Sequence, residues 1–531
     1  VPDSHRSDSG NTRTFAAGPL PTARLGGVCL HITSLPGPCG IGDIGHAAYD
    51  FVDFLRASGL DVWQFLPLGP TGYGNSPYQP LSSFAGNELL VAVDDLVDLG
   101  LLKAREAAPL AELPAAYVDF DALIPRKKAL LDLAADRFTV RAHTRLAAEF
   151  DDFVALHDDA WLRDYALFRV LKSVSGDRSW QAWPEEFRAR VPAALQGFEN
   201  AQRERLAAVR IQQFLFHRQW QVLRQYANES GVLLFGDLPI YIALDSADAW
   251  SHPELLRLAS NGWPTAVAGV PPDYFSEDGQ LWGNPLYDWL VHAETGYRWW
   301  IERMRASVRL ADLVRIDHFR GFESYWSIPA GATTARDGCW EPGPRDAIFE
   351  AFRSALGGLP IVAENLGVIT DEVEALRHRH KLPGMVVLQF AVCDPGFRLD
   401  AVGSNEVCYS GTHDNDTTLG WFDGSGQDAR SAADVRAAQQ AALRVTGGEP
   451  RNIALDFVRA AFRTPARLAI APLQDFLQLG SEARMNAPGK PADNWRWRTT
   501  AAQLSGDLCD NIAAIVADSG REGTYGRRDP E

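Results

Sequence analysis

The chain has 531 residues, 46 % of them hydrophobic and 22 % charged, with 16 tryptophans and a formal net charge of −17. That composition belongs to a globular protein with ample material for a large core, and the acidic balance argues against nucleic acid or an anionic membrane surface as partner and for a neutral or cationic ligand. No run approaches the ~18 continuous apolar residues of a membrane span, and six scattered cysteines without a CxxC pair point to a reducing cytoplasm rather than to disulfides or a metal site.

Residues 1–23 are polar and read as a disordered tail. From there a unit recurs: a short apolar run, a polar cluster, then a helical pattern. The runs are GVCLHI (27–32), VWQFLPL (62–68), GVLLFGDLPI (231–240), LVRIDHF (313–319), LPIVAENL (359–366), GMVVLQF (384–390), EVCYSGTHD (406–414) and LAIAPLQDFL (468–477). Amphipathic patterns over 46–58, 292–308, 344–356, 370–380 and 452–463 predict the intervening helices. Near-continuous apolar strands alternating with helices predict a parallel sheet, and eight of them predict an α/β fold of the (β/α)8 TIM-barrel type. Two connections are too long for simple crossovers. Residues 73–204 read as an inserted, mostly helical subdomain between the second and third strands, so the barrel comprises 24–72 and 205–525. Residues 242–291 form a second insertion carrying VPPDYFSEDGQLWGNPLY (270–287), whose Pro, Gly and Asp content marks an irregular loop; with Tyr274, Phe275 and Trp282 displayed on it, it reads either as an active-site loop or as a surface loop packed by its own aromatics.

The polar ends of these runs carry the chemistry. The third ends at Asp237, the fourth at Asp317, the fifth at Glu364 and the seventh at His413-Asp414; the eighth adds Gln474 and Asp475. Catalytic groups in such barrels sit at the carboxyl ends of several strands. One polar strand end is usually a cap or turn residue, but four carboxylates at corresponding ends are hard to dismiss. Arg315 and Asp317 alternate onto one strand face, where two opposite charges must pair. Two carboxylates flanking a glycosidic bond need one anion and one acid. Arg315 favours an ionised Asp317, whereas Glu364 has only neutral sequence neighbours, so burial raises its pKa. Asp414 is placed to stabilise positive charge or hold sugar hydroxyls, and His318 and His413 to donate hydrogen bonds to them. There is no GxSxG, HExxH or GxxxxGK[ST] motif. A carboxylate-bound divalent metal is the serious rival, and the aromatics around GYGNSPYQPLSSFAGN (72–87) favour a sugar site over it.

At this point the sequence resembles the amylomaltase (4-α-glucanotransferase) family, glycoside hydrolase family 77 of the α-amylase clan. The resemblance rests on SLPGPCGIGDIG (34–45), GNSPYQPLSSFAGN (74–87), FGDLPIYI (235–242), PPDYFSEDGQLWGNPLY (271–287), RIDHFRGF (315–322), IVAENLGVIT (361–370), GTHDNDTTLGW (411–421) and RMNAPG…NWRWR (484–498). These blocks run in the family's order from about residue 26 to residue 498. The resemblance implies retaining transfer of α-1,4-glucan segments between maltooligosaccharides by a monomeric enzyme without cofactor or metal. It implies Asp317 as nucleophile, Glu364 as acid and base, and Asp414 as transition-state stabiliser, supported by Arg315 and His413. The assignment to Asp414 rather than Asp416 rests on its position after His413. Tyr78, Ser76 and Asp237 are implied as sugar contacts, Trp282 and Tyr274 as loop residues that shield the intermediate or stack on an acceptor, and Tyr73 as a more distant glucan contact. A hydrolase with the same residues and a catalytically silent glucan-binding protein are the alternatives.

Overall fold

The computed structural model describes residues 20–272, 277–425, 430–490 and 493–521. Each of the eight apolar runs overlaps a parallel strand: β1 (Leu25–Cys29), which starts two residues before its run, β2 (Val62–Gln64), β3 (Leu233–Leu238), β4 (Leu313–Ile316), β5 (Ile361–Ala363), β6 (Gly384–Val387), β7 (Glu406–Tyr409) and β8 (Leu468–Pro472). They pair in the order β6-β7-β8-β1-β2-β3-β4-β5. The two ends of that order meet, because the Ala363 N–H donates to the Pro383 carbonyl (2.8 Å) just before β6. The sheet therefore closes into the expected barrel. The strands are short because in most runs only the opening residues pair; the rest of the run turns into the loops at the barrel's carboxyl end. Gly27 is required by this packing. A Cβ there would stand 2.8 Å from the Val62 carbonyl oxygen of the neighbouring strand.

The helices His46–Ala57, Asp346–Leu356, Asp371–Arg379 and Ile453–Arg463 fall where the periodicity places them, whereas the stretch expected as one helix over 292–308 is split at a left-handed Tyr297 into Trp289–Glu294 and Arg298–Leu310. Between β2 and β3 the chain builds further helices, the longest being Phe120–Arg141 and Arg203–Glu229. The latter delivers the chain to β3 and buries Trp220, whose indole N–H donates to the Leu310 carbonyl (3.0 Å). Phe138, Phe150 and Phe214 interlock edge to face with centroids 5.4 to 5.8 Å apart, joining three of these helices.

The second insertion departs from expectation. Residues 270–287 are not wholly irregular: Gln280–Pro285 is a strand, paired antiparallel with Ala266–Val270. Two further strands, Ser324–Pro329 and Cys339–Pro342, complete a four-stranded antiparallel sheet beside the barrel mouth. Gly269 and Gly283 masked the alternation in sequence, since a glycine carries no side chain to pattern. Residues 1–19 of the expected tail, and Tyr274 and Phe275, lie outside the described residues, while Leu20 and Pro21 are buried. Among the described residues no helix is long and apolar enough to cross a membrane.

Candidate active site

The register of the barrel strands builds the site. Asp237 on β3 is the cross-strand partner of Arg315 on β4, and Ile316 pairs with Ala363 on β5. Asp317 and Glu364 are therefore the next residues along two adjacent strands. Arg315, itself buried, divides its guanidinium between them: Nη1 donates to Asp237 Oδ2 (2.7 Å) and Nη2 to Asp317 Oδ1 (2.8 Å). Tyr78, arriving from the loop after β2, donates its hydroxyl to the same Asp237 oxygen (2.7 Å). The result is a continuous chain Tyr78–Asp237–Arg315–Asp317. A buried ion pair of this kind adds little net stability, so its value is positional.

Glu364 is 8 % exposed and accepts two backbone N–H groups, from His318 on Oε2 (2.6 Å) and from Leu366 on Oε1 (2.7 Å). The first bond depends on an unusual backbone. His318 sits in the left-handed region at φ 51° and ψ 51°, which a non-glycine residue seldom adopts. Such strain concentrates at functional sites. Its imidazole is buried and pushed down to about 3, by burial first and Arg320 second, so the ring is neutral. The edge-to-face neighbour of that ring is Trp282, with centroids 4.8 Å apart.

Across the mouth, at the end of β7, Asp414 lies 3.3 Å from His413 Nε2 and accepts the Asn486 amide (2.7 Å) on its other oxygen. Arg484 donates to the Asp414 carbonyl (2.9 Å). The His413 ring stacks on Tyr78, with centroids 5.2 Å apart and planes 10° from parallel, and so links this cluster to the Tyr78–Asp237 chain.

The electrostatics order the three acids. Burial raises Glu364 to about 7 against the opposing pull of Arg315. Burial also raises Asp317, to about 6. Arg315 does pair with Asp317 as expected, but it does not hold that carboxyl low: its charge is shared with Asp237, and Asp237 and Asp414 both push the Asp317 proton on. Asp414 goes the other way. Burial raises it, but His413, Asn486 and Arg315 outweigh burial and bring it well below the usual carboxylate range.

Other singled-out residues take supporting places. Asp416 is spent on the Thr417 N–H (2.8 Å) and Ser481 hydroxyl (2.7 Å), which leaves Asp414 as the acid of that motif facing the site. Asp475 accepts from the Ser410 hydroxyl (2.6 Å) and the Thr418 N–H (2.8 Å), fastening the loop that presents His413 and Asp414. Gln474 donates to the Ala483 carbonyl (3.2 Å). Ser76 accepts the Tyr78 N–H (3.2 Å) and so shapes the loop that carries the tyrosine. Tyr73 is 82 % exposed at the outer end of that loop and is not drawn to the carboxylates. The sequence alone assigns no role to Asn486 in the RMNAPG block and does not show the bond from the His318 backbone. The order of blocks was the only sign of the former, and no sequence pattern announces a left-handed residue. Among the described residues no group of three or more His, Cys, Asp or Glu side chains has the arrangement of a metal site.

The sequence profile described as 4-alpha-glucanotransferase matches residues 30–503. The chain is similar to the 4-alpha-glucanotransferase of Synechocystis sp., with 44 % identity over 514 residues, covering 95 % of this chain and 98 % of the relative. It is equally similar to that of Thermus thermophilus, with 44 % identity over 501 residues, 93 % of this chain and 98 % of the relative. Among solved structures it resembles amylomaltase from Streptococcus agalactiae in complex with acarbose, with TM-score 0.88 and 35 % identity, covering 94 % of this chain and all of that one. A barrel with these acids on its strand ends, matched over nearly its whole length, belongs to the 4-alpha-glucanotransferase family.

Proposed function

We propose that the chain moves α-1,4-glucan segments between maltooligosaccharides by a retaining double displacement through a covalent glycosyl-enzyme. The observation that carries this reading is the Arg315 fork, which engages Asp317 through Oδ1 and leaves its second oxygen for attack, one strand away from an acid that burial keeps near neutrality. In the first step an Asp317 oxygen attacks the anomeric carbon while the bond from that carbon to the leaving sugar's O4 breaks. Glu364 gives its proton to that oxygen. In the second step Glu364, now a carboxylate, takes the proton of an acceptor 4-hydroxyl as that oxygen displaces Asp317. Two inversions at one carbon give net retention. Asp414, held ionised by His413 and Asn486, faces the positive charge that develops on the sugar carbon.

Transfer requires that an acceptor sugar reach the ester before water does. In this reading Trp282, whose ring packs edge to face on His318 next to the acid, covers that ester and stacks on the acceptor. Incubation with pure maltotriose tests the assignment. Glucose together with maltotetraose and longer chains is the expected ladder; glucose and maltose alone would make the protein a hydrolase. In Trp282→Ala the ratio of hydrolysis to transfer should rise, and an unchanged ratio would remove the shielding role.

A further inference from the structure

The antiparallel sheet carries an indole pair with no part in the reaction above. Trp326 and Trp340 oppose each other across Ser324–Pro329 and Cys339–Pro342, their rings edge to face with centroids 5.1 Å apart. Trp340 is 39 % exposed, yet its ring is held. The Arg320 guanidinium lies 3.7 Å from the ring centroid. Arg320 is itself buried and donates to the Val368 carbonyl and to Ser324 Oγ (3.1 Å). Trp326 gives its indole N–H to the Ala335 carbonyl (2.8 Å), and Gly338 lies so close that a Cβ there would strike the indole. Both rings are thus fixed before any ligand arrives.

Their place gives the fixation a purpose. Arg320 belongs to the turn Phe319–Phe322 that directly follows Asp317 and His318, and Val368 belongs to the loop that follows Glu364. Trp340 is therefore tied, through one guanidinium, to the segments carrying both reacting carboxylates. Val368 is exposed as well. A rigid indole with open ring surface suits the C–H face of a glucose residue and costs little conformational entropy on binding. The protein's net negative charge favours an uncharged ligand over an anionic one.

We propose that Trp340 is a stacking plate for a glucose residue of an α-1,4-glucan chain, outside the reacting centre on the Glu364 side. The identity of the ligand rests on the glucanotransferase reading; the plate itself rests on the indole pair and its guanidinium support. The test uses the full chain, oxidised briefly with N-bromosuccinimide with and without saturating maltoheptaose, followed by peptide mapping. Trp340 oxidation should slow about three- to tenfold with the sugar, while Trp263, exposed in the turn beside Trp180, should be unaffected. Equal oxidation of Trp340 in both samples overturns the proposal. So does protection that grows with protein concentration in the absence of sugar, which would mean that a second copy covers the ring. Electrophoresis through amylose-containing gels adds an independent reading: Trp340→Ala should be retarded about three- to tenfold less than the unaltered chain and Trp340→Phe nearly as much as it. Equal retardation of all three overturns the plate. Turnover of maltotriose with an unprotected Trp340 refutes the plate alone, whereas protection without turnover refutes the transferase reading and keeps the plate.

Discussion

Two stretches of the barrel lip carry acids of the same kind and treat them in opposite ways. At the ends of β4 and β5, Asp317 and Glu364 share one guanidinium with Asp237, and desolvation raises both, to about 6 and about 7. At the end of β7, Asp414 has His413 beside it and the Asn486 amide on its other oxygen, with Arg315 adding to their pull, and it falls well below the ordinary carboxylate range. The difference lies in the neighbours: Asp237 and Asp414 raise Asp317 against Arg315, whereas hydrogen bonds from His413 and Asn486 act on Asp414. Arg315 touches Asp317 at 2.8 Å, closer than His413 comes to Asp414, and still does not hold it low. The first stretch suits proton transfer and the second suits a permanent charge.

The predictions follow from that contrast. Asp317→Asn keeps the shape and a partner for Arg315 but cannot attack carbon, so disproportionation of maltotriose should fall by at least about a thousandfold. Glu364→Gln should lower turnover by about 10²- to 10⁴-fold on maltooligosaccharides. It should lower it far less on a maltosyl fluoride donor, whose leaving fluoride needs no proton; equal losses on both donors would deny Glu364 the role of acid. Asn486→Ala removes one bond to the ionised Asp414 and should cost roughly tenfold in kcat, with little change in the pH limits, because Asp414 starts so low that it stays ionised.

The smallest effect is the pH dependence of kcat/KM. The nucleophile must be ionised, so activity should rise as pH climbs through about 6, the value for Asp317. The acid must be protonated, so activity should decline as pH passes about 7, the value for Glu364. A narrow bell results. A plateau reaching two units above neutrality would contradict the raised Glu364.

Much of this was legible in the sequence. The eight apolar runs located every barrel strand because a strand buried on both faces must be apolar along its length. The acids at their ends stood out because a charge at the end of such a run needs a reason. What the sequence hid was relational. That Asp237 competes with Asp317 for Arg315 depends on the β3–β4 register, and the two lie 80 residues apart in the chain. The strand Gln280–Pro285 was hidden because its composition is that of a turn and its partners, Ala266–Val270 and, beyond that, Ser324–Pro329, supply the pairing that propensity does not. The His318 bond to Glu364 was hidden because it is made by backbone, which every residue carries.

The most direct test of the account is to catch the ester. Incubation of Glu364→Gln with 5-fluoro-α-glucosyl fluoride, followed by proteolysis and mass spectrometry, should find one hexosyl adduct on the peptide that carries Asp317. An adduct on the peptide carrying Asp414, or none while fluoride is released with inverted product, would contradict the central assignment.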